Sequence, residues 1–260
     1  MVPEYAQRYR DLYQRHWWWR AREALLVRTL EHLRPPEGWH AILDVGCGDG
    51  LFFGQLQRFG ATLEGVEGDP SLVSENGPWR RHIHVRPFDS SFQPSNGYSL
   101  ILMLDMLEHL ADPLSALQHA VRLLEPRGRI LLTVPAFEML WTSHDDYNEH
   151  RTRFTRARFA RLAREAGMRI DSTRYFFYWT CPVKLAQRLK ERFVPGVPAP
   201  AGIPPRWANK ALYLASRLEQ TLLEPFPIPF GSSLLIVGGR AADGGDAEKA
   251  TTQDRAGDRA

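Results

Sequence analysis

The feature that most constrains this chain is the run Leu43-Asp44-Val45-Gly46-Cys47-Gly48-Asp49-Gly50, in which a short apolar segment ends in glycines at alternate positions. Glycine there permits a sharp turn and lets the backbone approach a ligand closely. A helix starting just behind the turn would offer unsatisfied N–H groups to a carboxylate or phosphate. The apolar residues before it, Ala41 to Val45, read as a buried parallel strand. A phosphate-binding loop would need Gly-Lys-Ser/Thr, which is absent. The dinucleotide fingerprint would need glycine at position 51, where this chain has Leu51.

The pattern around this turn alternates. Glu4 to Leu33 has helical spacing, stopped by Pro35-Pro36 and Gly38. A helix is expected from about Gly50 to Phe59, then strands at Ala61–Val66, Ile83–Arg86 and Ser99–Leu104, a helix at Leu114–Leu124 and a strand at Arg129–Val134. Such alternation predicts an α/β, doubly wound, parallel sheet with helices on both faces. Trp141 to Arg153 is too polar for core, and Phe154–Ala166 is a further helix. Met168–Tyr175 and Ser232–Val237 read as strands that enclose a Pro- and aromatic-rich segment, with helices at Val183–Phe193 and Arg206–Leu223. From Gly238 onward the chain is rich in Gly, Ala and charge, which predicts a disordered tail over 239–260.

Composition narrows the function classes. With 43% hydrophobic and 24% charged residues among 260, the chain buries a real core and is neither disordered nor collagen-like. Cys47 and Cys181 are too few for a metal quartet or a disulfide framework. The opening stretch Met1–Arg20 lacks an apolar signal core, and no run of about 18 apolar residues exists. A cytoplasmic protein is expected, or one peripheral to the inner face of the membrane. Net charge is only +3, so nucleic acid is not demanded as a partner. No sequence signal sets an oligomeric state.

The pattern Asp44-x-Gly46-x-Gly48-x-Gly50 resembles motif I of class I S-adenosylmethionine-dependent methyltransferases. The likeness extends over residues 40 to 137. Gly65-Val66-Glu67 places Glu67 where that family holds the ribose hydroxyls, and Pro87-Phe88-Asp89 places Asp89 where an acid meets the adenine amino group. Leu104-Asp105-Met106-Leu107-Glu108-His109-Leu110 is similar to a signature of the family's small-molecule branch, and Asp112-Pro113 and Pro126-x-Gly128 continue it. Tyr98-Ser99 departs from the Phe-Asp common at that point. The resemblance implies a seven-stranded sheet with an N-terminal helix and a helical insertion between the last two strands. It implies S-adenosyl-L-methionine as cofactor, held by Asp44, Gly46, Cys47, Gly48, Gly50, Glu67, Asp89 and Asp105. One domain would span 1–238, with a cofactor core at 40–137, a substrate lid at 138–167 and the insertion at 176–230.

Methyl transfer is an in-line displacement that needs alignment above all, and a base only where the acceptor must lose a proton. The segment Trp141 to Phe154 follows the fifth strand, at the sheet end where ligands sit in doubly wound folds. It resembles an "HD…H…RY" stretch of a bacterial methyltransferase subgroup, with Phe154 in place of Tyr. His144 and His150 are the candidate bases, and His109, Asp145 and Arg153 the candidate acceptor contacts. The opening His16-Trp17-Trp18-Trp19 and Arg22 resembles the same subgroup. Asp105, Glu108 and His109 are similar to positions in ubiquinone-pathway O-methyltransferases, some of which use a divalent ion, but no metal is assigned. The acceptor is expected to be a small molecule, such as a lipid-linked, isoprenoid or saccharide hydroxyl. RNA methylation and cofactor binding without turnover are the alternatives. The apolar and basic residues from Phe176 to Phe193 suggest peripheral membrane contact over 176–193.

Overall fold

A computed structural model describes residues 3–60, 62–194 and 201–241. Two helices open the chain, α1 (Pro3–Arg15) and α2 (Trp17–Leu33), where the periodicity predicts one. The break falls at His16, whose backbone is extended and whose ring accepts the amide of Trp18 as an N-cap. β1 (Ala41–Val45) enters the glycine turn. The helix behind it, α3 (Phe53–Leu56), starts later than predicted and tightens into a 3-10 turn over Gln57–Phe59. Gly48 and Gly50 hold positive φ, so a helix cannot begin before them.

β2 (Thr62–Glu67), β3 (Ile83–Val85), β4 (Tyr98–Leu104), α4 (Pro113–Leu123) and β5 (Leu124–Pro135) follow. After them come α5 (Ser143–Tyr147), α6 (Arg156–Glu165), β6 (Met168–Phe176), α7 (Thr180–Phe193), α8 (Arg206–Leu222) and β7 (Ser233–Arg240). The seven strands form one sheet in the order β3-β2-β1-β4-β5-β7-β6. The first five run parallel, but β7 is antiparallel to both neighbours, so the sheet is mixed rather than wholly parallel. The cause is the insertion: Phe176 at the end of β6 pairs with Ser233 at the start of β7. A segment that leaves and returns at the same end of the sheet must bring the next strand back in the opposite direction.

Alternate residues of the central strands pack on opposite faces. Leu43, Ile101, Met103 and Leu132 meet α4 and α6 on one side, and Ile42, Leu100, Leu102 and Leu131 meet α2 and α3 on the other. The predicted tail begins too early, because β7 runs through Gly238 and Gly239 to Arg240. These glycines are packing residues, since a Cβ on Gly238 would stand 2.2 Å from the Arg169 carbonyl oxygen. The Arg240 guanidinium then donates to the carbonyls of Val121, Arg122 and Leu124 at the end of α4. The rest of the predicted tail, 242–260, lies outside the described residues. No helix among the described residues is long and apolar enough to cross a membrane.

Candidate active site

The sheet changes its direction of progression at β1, flanked by β2 and β4, and in such sheets the crevice beyond the strands' carboxyl ends takes ligands. The glycine turn occupies that place. Gly46, Gly48 and Gly50 have φ of 74°, 54° and 70°. A Cβ at Gly46 would lie 3.0 Å from Met106 Cγ, and at Gly50 3.0 Å from Trp79 Cβ, whereas at Gly48 it would meet nothing within 4 Å. The turn is therefore packed on two sides and open at Gly48.

Glu67 ends β2 beside that opening. Its carboxylate is buried and accepts the amides of Gly48 and Asp69, each at 2.8 Å. Burial raises its pKa, with the amides of Asp69 and Gly48 opposing the rise. Asp44 is buried one strand over, and burial lifts it to about 7 against the pull of the Arg22 charge. Asp49 ties neighbouring segments to the turn: it accepts the Ser74 amide at 2.8 Å and pairs with Arg10 of α1 at 2.8 Å. Cys47 is buried under β2, where a Cβ on Gly65 would come within 2.5 Å of its sulfur, and burial pushes its thiol up. It is a packing residue by geometry. Asp89 lies exposed on the loop after β3, its carboxylate turned onto the Ser91 amide and hydroxyl.

At the end of β4, Asp105 has φ 53° and pairs with Arg22 of α2 at 2.6 Å. Arg22 is itself buried, donates to the Thr133 hydroxyl and lies 5.7 Å from the Trp18 ring. Sequence reasoning placed Arg22 in the tryptophan motif without giving it a partner. Trp17 and Trp18 pack against Phe177, and Trp17 also against Trp179, so these rings join the N-terminal helices to the insertion.

The segment after β5 overturns the expectation that it is too polar for core. Asp145 is 0% exposed and Arg153 is 2% exposed. Arg153 grips the carboxylate with Nε and Nη2, both at 2.9 Å, and donates from Nη1 to the Ala136 carbonyl. Asp145 also accepts the Thr142 amide in the capping box of α5. Its polar residues are inside because they satisfy one another. Burial raises the Asp145 carboxyl, but the hydrogen bond from His150 and the charges of Arg153 and Lys184 outweigh it and hold the group well below the usual carboxylate range.

An ionised Asp145 only accepts, so the 2.8 Å contact to His150 Nδ1 is an N–H donated to it. That fixes Nε2 of His150 as the lone-pair nitrogen. The loop is drawn to β4 by the Arg151 amide, which donates to the Glu108 carbonyl at 2.7 Å, and the His109 and His150 rings meet edge to face at 4.8 Å. Glu108 is buried with one carboxylate oxygen unpartnered, and burial, then the Asp105 charge, raises its pKa well above the usual value. Donor atoms of Glu108, His109 and His150 lie within 4.8 Å of one another, a set that could hold a cation. His144 is directed elsewhere: its Nε2 meets the Asn148 amide at 3.0 Å, and burial, then the Lys184 charge, lowers it to about 4.

Two polar groupings thus adjoin at the same sheet end, one built on the glycine turn and Glu67, the other on Asp145, His150 and Arg153. This is the layout of a class I methyltransferase sheet. A family model described as a methyltransferase domain matches residues 8–173, and the chain belongs to that family. Its cofactor is S-adenosyl-L-methionine. The residues present fit it, since Gly46 is exposed at the turn, a Cβ at Gly48 would meet nothing within 4 Å, and Glu67 offers a buried acid at the end of β2.

Among curated relatives, the ubiquinone biosynthesis O-methyltransferase of Cronobacter sakazakii is 28% identical over 99 residues, 35% of this chain and 41% of that protein. The chain spans between 41% and 73% of the length of the curated relatives it matches. Among solved structures, a chain from Haloferax volcanii in complex with the Trm112 methyltransferase activator has a TM-score of 0.58 at 19% identity, covering 92% of this chain and 96% of that one. A SAM-dependent methyltransferase from Archaeoglobus fulgidus has a TM-score of 0.52 at 14% identity, with 83% and 93% covered. These structures establish the fold.

Proposed function

We propose that this protein transfers a methyl group from S-adenosyl-L-methionine to a hydroxyl of a small-molecule acceptor, with His150 as general base. The observation that carries the proposal is the His150–Asp145–Arg153 chain at the carboxyl end of the sheet, in which Asp145 leaves Nε2 of His150 free to accept a proton. The name of the curated relatives, an O-methyltransferase, supports an oxygen nucleophile. A lipid-linked, isoprenoid or saccharide alcohol or phenol is the acceptor class.

When bound, S-adenosylmethionine supplies an electrophilic methyl. Glu67 and the Gly46–Gly50 turn hold and orient its nucleoside end. His150 Nε2 would take the proton of the acceptor's hydroxyl. Asp145 keeps the imidazole in the correct tautomer and stabilises the imidazolium that forms, while Arg153 keeps Asp145 ionised. A base positioned in this way is worth about 10²- to 10⁴-fold in rate.

Glu108, His109 and His150 support a second reading, in which these three residues would hold a divalent cation, which would supply polarisation of the acceptor oxygen and leave His150 unavailable as a base. One assay separates the two. His150→Gln is followed by transfer of labelled methyl to phenolic and polyprenylated acceptors, with and without prior chelation. The base reading expects kcat to fall about 10²- to 10⁴-fold, cofactor affinity to hold, and chelation to leave wild type unchanged. Loss of wild-type activity on chelation, restored by a divalent metal, would assign the three residues to a cation. Full activity in His150→Gln would remove both.

A further inference from the structure

α8 turns its fully buried polar residues inward and much of its apolar surface outward. Beside Tyr213 and Leu223, which pack on the core, Ser216, Glu219 and Gln220 are buried, Gln220 donates to the Ala21 carbonyl, and Asn209 accepts the Trp17 amide. The apolar stripe of Trp207, Leu214, Leu218 and Leu222, spaced by seven, four and four residues, faces solvent, with Trp207 78% exposed. α7 repeats the arrangement with Leu185, Leu189 and Phe193, the last 80% exposed. Trp179, at the start of α7, donates to Glu219 and Ser216, so both stripes leave from one junction.

The charges of these helices are sorted by sign. Glu191 is bound to the Ser143 amide and hydroxyl, Glu219 to the Trp179 amide, and Glu224 to Arg28 and Arg174. Every acid of α7, α8 and the turn after α8 is thus engaged by the protein. Lys190, Arg192, Arg206 and Lys210 are exposed, and none pairs with an acid among the described residues. The large exposed side chains of the outward surface are apolar or cationic, and no acid there is left without a partner.

We infer that α7 and α8 dock this protein on the anionic surface of a lipid bilayer. An exposed apolar stripe flanked by cations is the pattern of an interfacial helix, and anionic lipid satisfies both parts at once. A second copy of the chain would satisfy the apolar stripe while setting like charges against each other. The structure also corrects the predicted contact over 176–193: Phe176, Phe177 and Tyr178 are core, while α8 joins the surface. The inference rests on these exposed side chains and holds whatever acceptor is methylated.

The test is co-sedimentation of the full chain with vesicles of phosphatidylglycerol and phosphatidylcholine, against pure phosphatidylcholine. Wild type is compared with Trp207→Ser/Leu218→Ser and Lys190→Glu/Lys210→Glu, with S-adenosylhomocysteine affinity and thermal melting as controls of folding. Binding to the anionic vesicles should weaken by about tenfold or more in each variant and fall with added salt. No binding of wild type, or equal binding by folded variants, would overturn the inference. So would a concentration-dependent dimer, formed without vesicles, that Trp207→Ser/Leu218→Ser abolishes; that result would give the surface to a second copy.

Discussion

The turn after β1 and the loop after β5 both bring polar groups to the carboxyl ends of the two strands that flank β4, but opposite means hold them. The turn is a backbone device: three glycines at positive φ, with the Gly48 and Asp69 amides on Glu67. The loop is a side-chain device, in which one buried carboxylate holds Thr142, His150 and Arg153. A backbone device depends on glycine and tolerates most change around it. A side-chain device depends on every charge keeping its partner, because a buried ion left alone retains its desolvation cost. The two regions should therefore break differently.

The largest effect is expected at Asp145→Ala, which leaves the Arg153 guanidinium buried and uncompensated. Stability should fall by about 3–5 kcal/mol in denaturant unfolding, and His150 loses its orienting partner. A loss under about 1 kcal/mol would mean that the pair behaves as a surface ion pair and that the contrast between the two regions is false.

A smaller effect comes with acid. Burial holds His16 at about 4, and burial with the Lys184 charge holds His144 at about 4, against about 6.5 for the unfolded chain. As pH falls from 6.5 towards 4, the unfolded chain takes up protons that the folded one refuses, so stability drops by at most about 1.4 kcal/mol per pH unit for each group. Asp145 acts lower: its pKa is depressed, so its contribution is lost only as pH falls below the ordinary carboxylate range. Melts at pH 7 and pH 5 should differ by several degrees, with the difference reduced in His144→Gln. An identical melting temperature at both values would show that neither ring resists protonation.

How much of this was legible follows from the same contrast. Gly46, Gly48, Gly50 and Glu67 could be read because a backbone device leaves its mark in residue type and spacing within a few positions. Asp145, His150 and Arg153 stand out in the sequence as candidate site residues but not as interior, since mutual satisfaction of charges has no local signature. Arg22 and Asp105 meet only because α2 and β4 are neighbours in the fold. Gly238 and Gly239 look like a tail in composition but lie in β7, where the carbonyls of Arg169 and Gly128 leave no room for a side chain. The direction of the apolar stripe of α8 has no local signature either: amphipathic spacing gives a face but not which way it points.

The smallest effect belongs to Asp89. Its carboxylate is engaged by Ser91 at the surface, so Asp89→Asn should leave the melting temperature almost unchanged. Its effect on cofactor affinity sharpens the comparison, since a drop matching that of Glu67 would extend the nucleoside site beyond the glycine turn.

The most direct test of the glycine turn and Glu67 as the cofactor site is calorimetric titration of S-adenosylmethionine and S-adenosylhomocysteine into wild type and Glu67→Ala. Wild type should bind both in the micromolar range, and the variant, folded by its melting curve, should lose about 1–3 kcal/mol for the charged hydrogen bonds removed. No binding by folded wild type, or affinity unchanged in Glu67→Ala, would contradict the assignment.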